Sequence, residues 1–334
     1  MMRYMPIGRS GLRASVITLG AMPMGGGSWW SNSDDKESID TVHRALDLGI
    51  NLIDTAPVYG YGHSEEVLGR ALKTVRREDV MISTKCGLWW DDDEGTYHFT
   101  NDGHVVRRNV SRRAIKIEIE KSLKRLGTDY IDIYYTHNPA KPPFDTPVEE
   151  TVGTLMELKK EGKIRAIGAS NMTVDQLREY QKYGQIDIVQ KKYSIMTRDI
   201  EAEFLPYILS QGMTLHAYAT IERGLLTGKV KKDYKFPEGD ARGDQPWWTP
   251  EKFPSAVDFV DSLRDICEKY HCTPLHLSTA WLRAQDPNIN VICGARRVFQ
   301  VEESVRGADL VLEPTDVAEI RRRAEALDAK FAAK

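Results

Sequence analysis

Between residues 16 and 294, short apolar segments alternate with longer amphipathic ones eight times over. No other feature constrains the fold as tightly. The strand-like segments are VITLGAM (16–22), INLID (50–54), DVMISTK (79–85), YIDIYYTH (130–137), KIRAIGAS (163–170), IDIVQ (186–190), MTLHAYA (213–219) and INVICG (289–294). The segments between them repeat apolar residues at helical spacing and carry helix signals. Residues 34–49 start with acids and stop at Gly49, SEEVLGRALKTV offers Ser64 as a cap, and 111–127 stops at Gly127. Residues 147–162 begin at a proline and end at a glycine, 173–184 begin at Thr173, and 200–212 contain Pro206. Four more helical stretches follow residue 254, the last one closing the chain. Strands separated by helices, with no second compositional block, predict an α/β protein: a single (β/α)8 TIM barrel over 1–334, with a C-terminal helical extension. Residues of about 3–15 surround a Gly-Arg-Ser-Gly turn and read as an N-terminal β-hairpin outside the barrel. Two segments, about 87–109 and 229–254, read as long loops at the barrel mouth, and loops that long in a compact domain are usually functional.

Composition removes several function classes. The 334 residues are 41% apolar and carry 46 basic and 49 acidic side chains, net −3 and well mixed. Neither a basic stretch for nucleic acid nor an acidic tail is present. No apolar run is long enough to span a membrane, and the N-terminus lacks a signal core. Four cysteines are too few to staple a chain of this size, so a cytoplasmic protein with free thiols is expected. Cys267, His271, Cys272 and His276 lie within ten residues. Pro274 interrupts them, and finger-type sites need a longer loop between ligand pairs, so no metal is expected there.

The strand ends hold the chemistry. They read Asp54, Lys85, His137, Ser170-Asn171, Gln190, Tyr218 and Gly294-Ala295-Arg296. In a barrel of this type all carboxyl ends of the strands face one mouth, where active sites lie. Polar residues at seven successive ends are not a packing pattern.

The stretches NLIDTAPVYGYGHSEEVLGRAL, STK, YIDIYYTH, GKIRAIGASN, IVQKKYS, RGLLTGK and VICGARRVFQVEES resemble the aldo-keto reductases over nearly the whole chain. The bacterial branch with general-stress and inositol-linked reductases is the most similar. The resemblance implies a catalytic tetrad of Asp54, Tyr59, Lys85 and His137. Reducing a carbonyl leaves an alkoxide, so an acid must deliver a proton as charge develops. A free phenol, with a pKa of about 10, is a weak donor. Lys85 is expected to lower that pKa, Asp54 to hold Lys85, and His137 to orient or polarise the carbonyl.

The resemblance also implies a nicotinamide cofactor lying across the mouth. Gly25-Gly26-Gly27 lacks the dinucleotide-fold spacing and is expected to be a flexible loop. Ser170, Asn171 and Gln190 match the carboxamide contacts, Tyr218 the ring that stacks on the nicotinamide, and Met22 and Leu226 further contacts. Arg296 and Arg297 match the 2′-phosphate site, which implies NADP(H), with NAD(H) as a further option. Gln300, Glu303 and Ser304 match the adenine end, although asparagine is commoner at the last. Lys229 and Arg242 are candidate clamps. On the substrate side, Trp29, Trp30, Trp89, Trp90, Trp247 and Trp248 fall in mouth loops, and Asn138 stands where tryptophan often follows the histidine. A small polar or sugar-like aldehyde or ketone is the expected partner. A polyol or inositol dehydrogenase, a regulatory module like the potassium-channel β subunits, and a barrel lyase or isomerase are the alternatives.

Overall fold

A computed structural model of the chain describes residues 2–28, 30, 33–235, 242–243 and 245–332. Eight parallel strands close into a barrel in chain order: β1 (Ile17–Gly20), β2 (Leu52–Asp54), β3 (Met81–Cys86), β4 (Ile131–Thr136), β5 (Ile164–Ser170), β6 (Ile188–Lys192), β7 (Thr214–Tyr218) and β8 (Ile289–Gly294). Closure comes from β8 pairing with β1, Val291 opposite Ile17. Because helices cover the outer face and side chains fill the interior, β1, β3 and β4 are buried at every residue. That burial explains why they read as continuous apolar runs rather than alternating ones.

The helices follow the signals in the sequence, with one exception. Asp34 caps helix Asp35–Asp47 by accepting from the Glu37 amide at 2.7 Å. Thr173 caps its helix where the sequence starts it, Ser111 caps by accepting from the Ala114 amide, and Gly127 ends that helix in the left-handed region at φ 66°. Ser64 is not a cap. Helix His63–Leu72 begins from Gly62 at φ 105°. The Ser64 hydroxyl instead donates to the Ala21 carbonyl and shares a bond with Thr55 Oγ1, both at 2.9 Å. It therefore ties the helix to the mouth.

The N-terminal hairpin, Tyr4–Pro6 paired with Arg13–Ser15, closes the barrel floor. Ile7 and Ala14 pack there with Leu52, Ile133, Ala166 and Ile188. The approach is close enough that a Cβ on Gly8 would sit 2.0 Å from the Asp187 carbonyl oxygen.

The expected loop at 87–109 is a three-stranded antiparallel sheet: Leu88–Trp89, His104–Arg108 and Thr96–Asn101. Its turn is Asp102-Gly103, with φ of 47° and 77°, the pair of positive angles that a two-residue hairpin requires. The 229–254 segment contains a short turn at Pro246–Trp248. Trp29 lies outside the described residues. Helix Pro314–Ala332 forms the C-terminal extension. Among the described residues no helix is long and apolar enough to cross a membrane, and no group of three or more His, Cys, Asp or Glu could hold a metal ion. His276 instead accepts from the Thr273 amide and lies 3.3 Å from Glu303.

Candidate active site

Strand register brings the mouth residues together. Asp54 at the end of β2 pairs with Ser83 on β3, and Lys85 lies two residues further along, on the same face. Lys85 is 1% exposed and its three N–H donors all find acceptors. Nζ donates to Asp54 Oδ2 at 2.8 Å, to the Thr55 carbonyl at 2.7 Å and to the Tyr59 hydroxyl at 3.3 Å. Asp54 Oδ1 accepts from Ser83 Oγ at 2.8 Å and from Gln190 Nε2 at 2.7 Å. The Tyr59 ring stands edge-on to His137, with centroids 6.1 Å apart at 89°. His137 follows β4, held by its amide bond to the Cys86 carbonyl at 2.9 Å.

The loop carrying Tyr59 is clasped by Gly25. A Cβ there would lie 2.6 Å from the Tyr59 carbonyl carbon, and one on Gly60 would lie 2.1 Å from the Gly25 carbonyl oxygen. Gly25 was expected in a flexible loop. It is a close-packing residue because two backbones cross at that point.

Electrostatics divides the roles. Burial raises the Tyr59 pKa, Lys85 pulls it back and Asp54 adds to the rise, leaving it above the ordinary phenol value. Lys85 lowers the value as expected, but burial outweighs the ammonium. Burial also works against the Lys85 charge, but Asp54 and Tyr59 outweigh it and raise its pKa. His137 is driven well below the ordinary imidazole value by burial, then by Lys85 and His98, and is neutral. Beneath the site, His216 Nδ1 meets the Tyr135 hydroxyl at 2.8 Å, and burial takes its pKa down to about 4. A neutral, fixed imidazole, a neutral phenol and a buried ammonium beside it make a proton-delivery site.

The sequence agrees with this geometry. The Aldo/keto reductase family model matches residues 16–325. The NADH-specific methylglyoxal reductase of Escherichia coli is 42% identical over 328 residues, 98% of this chain and 100% of that protein. The chain belongs to the aldo-keto reductase family. The Bacillus subtilis aldo-keto reductase YhdN is 37% identical over 90% of this chain and 87% of its own length. Among solved structures, the glycerol dehydrogenase AKR11B4 from Gluconobacter oxydans superimposes with a TM-score of 0.85. It is 32% identical, covering 100% of this chain and 96% of its own.

In this reductase the expected cofactor residues fall into two groups. Ser170, Asn171, Gln190 and Tyr218 surround the tetrad. Asn171, at φ 57°, donates to the His137 carbonyl at 3.1 Å and accepts from the Tyr218 hydroxyl at 2.8 Å. Gln190 Nε2 donates to Asp54 and lies 3.2 Å from His216. Met22 sits half-buried in the turn after β1. Arg296, Gln300, Glu303 and Ser304 gather beyond β8, where the Arg296 amide donates to Gln300 Oε1 at 3.0 Å. Gln300, Glu303 and Ser304 line a cavity of about 190 Å³ together with Gly294, Phe299 and Lys229. A mostly apolar cavity with a few polar side chains and one exposed ring, beside an arginine, suits the adenosine end of a nicotinamide cofactor. Leu226 is a correction: it is fully buried and presents no surface to a ligand. Arg242 lies over Tyr234 and Trp248 rather than standing as a free clamp.

Three of the expected substrate tryptophans are also corrections. Trp89 is buried, and its Nε1 donates to Asp92 at 2.6 Å. Trp247 donates to the Met196 carbonyl and Trp248 to the Glu222 carbonyl, both at 2.9 Å. Trp248 also stacks on Phe253 at 5.5 Å. These indoles are satisfied within the protein and anchor the long loops. Trp30 and Trp90 are half-buried, Trp90 edge-on to Tyr61, and Asn138 is buried beside His137. Two residues near the tetrad had no role in the sequence reading. Arg223, at φ 54°, is close enough to lower the pKa values of Tyr59 and Tyr218, and His98 acts on His137. The sequence signal for His98 was available in Asn-Asp-Gly between alternating segments. Arg223 sat in the family-like stretch RGLLTGK without an assignment.

Proposed function

We propose that the protein reduces a small aldehyde or ketone to an alcohol, with Tyr59 as the proton donor. The observation that carries this reading is the Lys85 ammonium held between Asp54 at 2.8 Å and the Tyr59 hydroxyl at 3.3 Å. A bound nicotinamide cofactor would supply the hydride. Ser170, Asn171, Gln190 and Tyr218 would hold its nicotinamide end, and Arg296, Gln300, Glu303 and Ser304 its adenosine end. Tyr59 gives its proton to the carbonyl oxygen as negative charge builds there. Lys85 stabilises the phenolate left behind, and Asp54 keeps Lys85 charged and in place. Neutral His137 fixes the carbonyl oxygen by hydrogen bonding.

Arg296 and Arg297 support NADPH, because a guanidinium grips phosphate with charge-assisted bonds. One observation favours a second reading, NADH. Glu37 Oε2 lies 3.3 Å from Arg297 Nε and also acts on Arg296, so a carboxylate competes for the phosphate site. The E. coli relative's name points the same way. We place the enzyme in the cytoplasm on its four free thiols.

The test is oxidation of NADH and of NADPH, followed by nicotinamide absorbance, with methylglyoxal and a panel of small aldehydes, ketones and polyols. Carbonyl-dependent oxidation with either cofactor is the expected result. Activity confined to polyols with the oxidised cofactor would reverse the assigned direction, and no turnover in either direction would return the regulatory-module reading.

A further inference from the structure

The three-stranded sheet over the mouth carries two arginines, Arg107 and Arg108, and a third, Arg113, follows it; they are treated differently. Arg107 pairs with Asp93 at 2.8 Å. Arg113, just beyond the sheet, pairs with Asp92 at 2.8 Å and Glu94 at 2.7 Å. Arg108 has no ion pair and no side-chain hydrogen bond among the described residues, and its Nε, like that of Arg107, is buried without a partner. A half-buried arginine with no carboxylate to meet it keeps its terminal N–H donors available to an acceptor from outside the protein.

Its orientation follows from the strand. Residues 104, 106 and 108 share one face. His104 stacks on Tyr61 with centroids 3.9 Å apart. Val106 is fully buried against the loop of Val58, Tyr59 and Tyr61. Arg108 pairs in register with Leu88, which packs in the same cluster, and with Thr96, whose hydroxyl donates to the Lys141 carbonyl. The guanidinium therefore faces the tetrad side of the sheet rather than solvent on the far side. Its charge acts on His98, as does that of Lys141, and His98 in turn acts on His137. A run of nitrogen groups thus leads from the sheet to the carbonyl-orienting histidine, and no acid among the described residues acts on His98 or His137.

We propose that Arg108, with His98 and Lys141 beside it, recognises an anionic group on the substrate, so that the carbonyl compounds handled best carry a carboxylate or a phosphate. This rests on the carbonyl-reductase reading above. The carbonyl oxygen would sit between Tyr59 and His137 while the distal anion meets Arg108. His98, neutral by burial and by its cationic neighbours, adds a hydrogen bond rather than charge.

Two matched substrate pairs test it: succinic semialdehyde against butanal, and glyceraldehyde phosphate against glyceraldehyde. In wild type, kcat/KM should favour the anionic member of at least one pair, and the pair that shows the preference identifies carboxylate or phosphate. In Arg108→Gln that ratio should fall about 10- to 100-fold, mainly through KM, and Arg108→Lys should restore part of it. Binding of succinate and of inorganic phosphate by calorimetry reads the site without turnover, and one of them should weaken at least tenfold in Arg108→Gln. A wild-type preference for the neutral member of both pairs, or anion binding and ratios unchanged in Arg108→Gln, would overturn the proposal. Turnover of the neutral aldehydes alongside either result leaves the reductase reading standing. Loss of all carbonyl turnover in wild type would instead fail the reductase reading, with the calorimetry still deciding the anion site.

Discussion

Lys85→Met isolates the ammonium on which the site depends. Methionine keeps most of the side-chain volume and removes the charge and the three donors. The structure gives three losses: the bond to Asp54 Oδ2, the bond to the Thr55 carbonyl and the contact to Tyr59. Asp54 keeps Ser83 and Gln190 as donors, yet it becomes a buried carboxylate with no cation. Removing one member of a buried pair costs about 3–5 kcal/mol. The double variant Asp54→Asn/Lys85→Met removes the stranded charge and should recover much of that loss. Because the Lys85 pKa is raised on folding, its contribution is complete below the ordinary lysine value of 10.5 and lost only as pH rises through the folded value. The cost should therefore appear in full at neutral pH. Urea unfolding at pH 7 measures it, with cofactor fluorescence reporting binding and initial rates reporting catalysis. Stability should fall by the amount given, turnover should collapse and cofactor binding should persist. A stability loss under about 1 kcal/mol, or a double variant no more stable than the single, would refute the buried-pair account.

Arg296→Ala should weaken NADPH binding about 10- to 150-fold, the equivalent of one charged hydrogen bond to phosphate, and leave NADH nearly unchanged; dissociation constants at one fixed salt concentration check it. Glu37→Gln should act in the opposite sense, tightening NADPH about 2- to 5-fold with little effect on NADH. The His216 pKa falls from 6.5 to about 4 on folding, so stability is complete above pH 6.5 and is lost as pH drops toward 4. That loss amounts to about 3 kcal/mol, and His216→Asn should show a flatter stability profile across the same window by thermal unfolding.

The barrel was legible because its strands are short apolar runs bounded by helix caps and stops, and each signal acts locally. Asp54, Lys85, His137 and Gln190 were legible for a related reason: strand ends in a barrel of this type share one mouth, so a polar end is already a position in space. Signals that depend on three-dimensional packing were not. Ser64 looks like a helix cap, but its hydroxyl is drawn to Ala21 and Thr55 by a backbone that passes above it. Paired tryptophans look like sugar platforms, but their indole N–H groups are consumed by carbonyls and a carboxylate that only the folded loops bring near. The lowering effect of Lys85 on Tyr59 could be inferred from the tetrad, whereas the burial that outweighs it could not. The mouth sheet was a missed local signal, since Asp102-Gly103 between alternating segments is a hairpin turn in its own right.

Tyr59→Phe tests the central claim most directly. It removes one hydroxyl and keeps the ring that stands edge-on to His137. The measurement is the single-turnover rate of carbonyl reduction on enzyme pre-loaded with its preferred cofactor, with the cofactor dissociation constant taken on the same sample. The account predicts a fall of about 10²- to 10⁴-fold in that rate with cofactor affinity unchanged. A variant that reduces its best carbonyl substrate at nearly the wild-type rate would contradict it, and the proton would have to come from another group.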